Sequence, residues 1–191
     1  RTTAEAYLSS CGFSDEELCK SRLRYGSRFF DPDVESRIKP FLQWLSDLGM
    51  TSVEVRKVVV NSPMSFRIDL EKISKPAVRC LKDLGMDDSQ VAQTIVKHPQ
   101  FTTYSSEDNL KPKLQWLKGL GMDDSQVAQT IVKFPKLMSY SLEGNLKPKV
   151  EILRKSDFTD DQVVRDLASC PAILGYSSKR WAYRLGVLQT S

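Results

Sequence analysis

Four lysines, Lys39, Lys75, Lys111 and Lys147, stand 36 residues apart, each directly before a proline. A second cationic series, Lys82, Lys118 and Arg154, keeps the same spacing, with Ser46 in its first place. Cations at a regular rise suit a phosphate backbone, since phosphate contacts supply affinity and fix register. The competing reading is a solvated lysine at a helix start, disfavoured by the macrodipole but tolerated at a surface. Arg180 and Arg184, on either side of Trp181, complete the candidate nucleic-acid-binding set.

The remaining reactive side chains point away from catalysis. His98, the single histidine, shares its 36-residue position with Ser62, Phe134 and Cys170, so an imidazole base or metal ligand is not expected there. The acidic pairs Asp87-Asp88 and Asp123-Asp124 precede apolar helical patterns, where carboxylates cap and meet the positive end of the helix dipole. Cys11, Cys19, Cys80 and Cys170 form no CxxC and lack His at ligand spacing, which predicts reduced, mostly buried thiols. With no Gly-rich phosphate loop and no nucleophile motif, the chain is read as a non-enzyme with no catalytic residue, no metal and no cofactor.

The elements that carry these residues are repeats. Residues 86–97 recur letter for letter at 122–133, and Asn109-Leu110-Lys111-Pro112-Lys113 recurs at Asn145–Lys149. Pro63, Pro99, Pro135 and Pro171 form one proline column, and Pro40, Pro76, Pro112 and Pro148 another. Gly49, Gly85 and Gly121 follow the same period, and Gly12 lies one residue further away. About five units result, roughly 1–37, 38–73, 74–109, 110–145 and 146–191, the outer two atypical as capping repeats are.

Each unit predicts two helices and a short third piece. Lys-Pro opens helix one and Gly ends it. Helix two starts at a capping box found in every copy: Ser14 with Glu17, Thr51 with Glu54, Asp87 with Gln90, Asp123 with Gln126, Thr159 with Gln162. It stops before the second proline, after which Pro135–Ser141 suits a 3₁₀ turn that tucks in Leu137 and Tyr140. One unit cannot bury its own apolar face, so the units stack into an all-α curved solenoid. Trp44 and Trp116 share a column with Cys80 and Ile152, and Tyr104, Tyr140 and Tyr176 share one with Ile68, so these rings are assigned to the core rather than to base stacking. Trp181 is assigned to the cap of the terminal core.

Composition sets the outer limits. The 191 residues carry 28 Lys+Arg against 24 Asp+Glu, a net charge of +4 that permits polyanion binding without requiring it. No apolar run approaches the ~18 residues of a membrane span. The chain begins at Arg1 without a recognisable leader, so any targeting segment is expected to lie outside this sequence.

The unit of helix, Leu-Gly, helix, Pro-x-x-Leu-x-x-Tyr-Ser and Asn-Leu-Lys-Pro-Lys resembles the mitochondrial transcription termination factor (mTERF) family across nearly the whole chain. The run Tyr140-Ser141-Leu142-Glu143-Gly144-Asn145-Leu146-Lys147-Pro148 is most like plant and algal members. In the last unit Ser178-Lys179-Arg180-Trp181 replaces the Leu-Glu-x-Asn run. The resemblance implies a chloroplast or mitochondrial protein that binds double-stranded DNA or structured RNA to regulate organellar gene expression, with transcription termination one form of that activity. A monomer that does not contact membranes is expected. The alternative from another class is a helical-repeat scaffold that recruits a protein partner for RNA processing or ribosome assembly.

Overall fold

The computed structural model describes residues 2–155 and 158–175, and every regular element among them is helical. Ten α-helices alternate as helix one and helix two of successive repeats: α1 (Thr3–Ser10), α2 (Asp15–Tyr25), α3 (Lys39–Asp47), α4 (Ser52–Asn61), α5 (Lys75–Lys82), α6 (Asp88–Lys97), α7 (Lys111–Gly119), α8 (Asp124–Lys133), α9 (Lys147–Lys155) and α10 (Asp160–Ser169). Two compact units divide them: Arg1–Lys82 with Met86–Ser106, and Asp83–Gly85 with Glu107–Ser191.

Local chemistry accounts for the boundaries. The side chains of Ser14, Thr51, Asp87, Asp123 and Thr159 each accept a hydrogen bond from the backbone N–H three residues on, and the Glu or Gln there accepts one from the backbone N–H of the cap, forming the five expected boxes. Thr2 and Glu5 make a sixth, which the repeat pattern did not announce. Helix one ends where Gly49, Gly85 and Gly121 take φ of 82°, 83° and 104°, a region open to glycine. The residue after each glycine then donates back five positions, as Met122 N–H does to Leu117 O at 3.4 Å, and its side chain is buried.

One element was not expected. Helix one does not begin afresh at Lys-Pro; a single π turn runs into it at Val34–Ile38, Leu70–Ser74, Ser106–Leu110 and Leu142–Leu146. A proline inside a helical run lacks its N–H and clashes with the carbonyl four residues back, and a wider turn just before it relieves both problems.

Within the first unit, α2 packs on α4 and α4 on α6, with α3 and α5 laid against α4 and α6. Within the second, α8 packs on α10, with α7 and α9 against them. Val91, Ile95, Val127 and Ile131 of helix two are fully buried, as are Phe101 and Leu137 of the 3₁₀ turns Pro99–Thr103 and Pro135–Ser139. Trp44 and Cys80 belong to the core, whereas Trp116 and Ile152 are only half-buried. The thiol expectation needs correcting: Cys80 is buried and Cys11 half-buried, but Cys19 and Cys170 are exposed, on α2 and just after α10, where no element among the described residues covers them.

Candidate nucleic-acid interface

The first lysine column sits at the junction of the π turn and helix one, its side chains 43–49% exposed. None of the four is a lone cation. Lys39 pairs with Glu35, Lys75 with Glu71 at 2.5 Å, Lys111 with Glu107 at 2.5 Å and Lys147 with Glu143 at 2.5 Å, in each case one turn back along the π segment. Lys39 also lies over the Tyr7 ring, 5.3 Å from its centre. The signal for these partners was present in the sequence as a glutamate column four residues before each lysine.

The second column is paired as well. Lys82 meets Asp88 at 2.7 Å, Lys118 meets Asp124, and Arg154 meets Asp160 at 2.8 Å and Glu151 at 3.0 Å. The hydrogen bonds that the Arg154 guanidinium donates to Asp160 and Glu151 hold it even more firmly protonated than usual. The two members of each acidic pair thus divide the work: Asp87 and Asp123 cap, while Asp88 and Asp124 bind a cation across the helix-one to helix-two turn.

Exposed pairs of this kind are weak. An i,i+4 ion pair contributes about 0.3–0.5 kcal/mol, and a phosphate can draw the lysine away at little cost. The carboxylates still act against an approaching polyanion, because each one left in place repels phosphate. Arg180 and Arg184 lie outside the described residues, as do Tyr176 and Trp181.

Two lysines that the sequence did not single out prove structural. Lys113 is 5% exposed and donates to Asn109 Oδ1 at 2.8 Å and to Met138 O at 2.5 Å. Lys149 is 3% exposed and donates to Asn145 Oδ1 at 2.8 Å and to the Leu174 carbonyl. Burial lowers both amines, that of Lys113 to about 8. They tie helix one to the 3₁₀ turn of the same repeat and are not available to a ligand.

The other candidate chemistry is also occupied. His98 is half-buried with Nε2 2.7 Å from the Tyr104 hydroxyl, and among the described residues no group of His, Cys, Asp and Glu is placed to hold a metal ion. No helix among the described residues is long and apolar enough to cross a membrane. No curated protein sequence matches the chain. The mTERF family model, however, matches residues 2–190, and with the helical repeats just described this makes the chain a member of the mTERF family, nucleic-acid-binding repeat proteins of organellar gene expression.

Proposed function

We propose that this protein binds double-stranded DNA or structured RNA in a chloroplast or mitochondrion, as a monomer and without catalysis, and so regulates organellar gene expression, with transcription termination one form of that activity. The observation that carries the reading is the periodic cation. In a member of a nucleic-acid-binding family, lysines recur at one position of every interior repeat and keep a side-chain exposure above 40%. Lys39, Lys75 and Lys82 would serve in the first compact unit, and Lys111, Lys147, Lys118 and Arg154 in the second. Phosphate displaces the paired carboxylate in each case, and the contacts give affinity without base readout.

The test is a salt titration of the unmodified chain with a labelled duplex and with a structured RNA. Binding should fall linearly on a log-log plot, at about −0.9 per phosphate neutralised for duplex DNA. Absence of salt-dependent binding to either would leave the protein-scaffold reading as the better one. That second reading has its own support: the carboxylate partners bring both cation rows close to neutral, while the apolar side chains of Leu23, Val53 and Met64 stand exposed.

A further inference from the structure

We propose that the groove between α2 and α4 docks an acidic amphipathic helix of a protein partner. The groove is about 510 Å³ and is lined by Lys20, Leu23 and Arg24 from α2 and by Val60 and Asn61 from α4. Of the exposed large apolar side chains among the described residues, Leu23, 83% exposed, lines it, and Val53, 62% exposed, stands on the α4 face that carries Val60. On α4, Val53, Lys57 and Val60 follow the i, i+4, i+7 spacing of a single helical face, and Lys20, Leu23 and Arg24 occupy the matching face of α2. The Tyr25 hydroxyl donates to Asn61 O at 3.2 Å, joining the two helices at one end of the groove.

The fold does not need the apolar groups at positions 53 and 64, whereas the column of Leu23 and Val60 stays apolar in Val96 and Val132. One repeat later, Val53 is replaced by Ser89 and Met64 by Gln100; two repeats later the residues are Ser125 and Lys136. Positions 53 and 64 on the same scaffold are therefore satisfied by polar side chains, and exposed apolar side chains rimmed by charge mark an interaction site. The charge specifies the partner. Arg24 and Lys57 have no carboxylate within ion-pair distance among the described residues; Lys20 pairs with Glu16 at 2.6 Å, and Glu54, the acid nearest Lys57, is held by its cap. Phosphates would meet the cations but gain nothing from a leucine 83% exposed. A helix with leucines on one face and carboxylates at its flanks meets both, in the helix-in-groove mode. Three turns of such a helix are about 16 Å long, the length of the 11-residue α2.

The proposal is independent of the nucleic-acid reading, and the experiment separates them. The probe is a fluorescent peptide of three to four helical turns, with Leu at i, i+3, i+4 and i+7 and Glu on the flanks. Controls are a scrambled peptide of the same composition and a version with Lys for Glu. Fluorescence anisotropy with the full chain should show binding of the acidic amphipathic peptide alone. Leu23→Ser with Val53→Ser should weaken it about 10- to 100-fold, the factor expected when a Leu-sized side chain loses its burial. Arg24→Glu with Lys57→Glu should abolish selection for the acidic flanks. Both variants should melt like the parent, because the side chains are exposed, and should retain any salt-dependent duplex binding. Failure of the acidic peptide to bind at millimolar concentration, or equal binding of the scrambled one, overturns the proposal. So does loss of duplex binding in Leu23→Ser/Val53→Ser, which would assign the face to nucleic acid. A dimer in sedimentation that the same variant dissociates would assign it to a second copy of this chain, again overturning the proposal.

Discussion

A lysine left only 5% exposed must give up water, charge or both, and Lys113 shows the terms. A neutral amine has two N–H donors, and the site offers two acceptors, Asn109 Oδ1 and Met138 O. Burial accordingly brings the amine from 10.5 to about 8. Below about pH 8 the group is protonated in both the folded and the unfolded chain. Between about 8 and 10.5 the unfolded chain holds a proton that the folded chain does not, so this group makes stability rise with pH over that window. Comparison with Lys113→Met isolates the effect: the melting-temperature advantage of the parent should be constant below pH 8 and grow through the window. A difference that stays flat would mean that the amine keeps its ordinary pKa. The sequence concealed this role because Asn-Leu-Lys-Pro-Lys looks like a solvated basic motif. The available clue was that Asn109 with Lys113 and Asn145 with Lys149 occur together at i, i+4, while the earlier repeats carry Arg37 with Phe41 and Ile73 with Ala77.

From the second repeat on, helix two was readable from end to end, because its start is set by a side-chain hydrogen bond and its stop by a proline, both local effects; α2 ends at Gly26 instead. Asp123→Ala removes the acceptor for Gln126 N–H, at 2.8 Å, and should cost about 0.5–2 kcal/mol in urea unfolding, whereas Asp123→Asn should cost far less. Equal losses would show that the carboxylate acts through its charge rather than as a cap. Helix one was readable only in its apolar face and glycine end. Its π entry follows from a backbone conflict at Pro40, Pro76, Pro112 and Pro148 that is resolved in three dimensions, and sequence spacing does not reveal it. That entry is also what brings Glu35, Glu71, Glu107 and Glu143 onto the lysine column, so the glutamate column visible in the sequence acquires its meaning only with the element.

Across the whole chain, stability in a repeat array is a sum of units and nearest-neighbour contacts, so position along the array matters beyond burial. Leu117 and Leu8 are both buried, at 1% and 0%. Leu117→Ala in α7 should nevertheless cost about 2–5 kcal/mol. Leu8→Ala, in the eight-residue α1 at the start of the chain, should cost clearly less, because such an end can open locally. Equal losses in denaturant would argue against additive stacking. The array itself was fully legible, since two proline columns and a verbatim 12-residue repeat leave little freedom in period. What the rows of cations touch was not, because a lysine column reads the same whether its partner is phosphate or glutamate. Salt titration of duplex binding by three proteins decides between these most directly. Relative to the parent, Lys111→Gln/Lys147→Gln should flatten the log-log slope by about 1.8. Glu107→Gln/Glu143→Gln should bind more tightly at every salt concentration, because each change removes a carboxylate that pairs with the lysine and repels phosphate. Unchanged affinity and slope in both variants would contradict the assignment and remove this column from the interface.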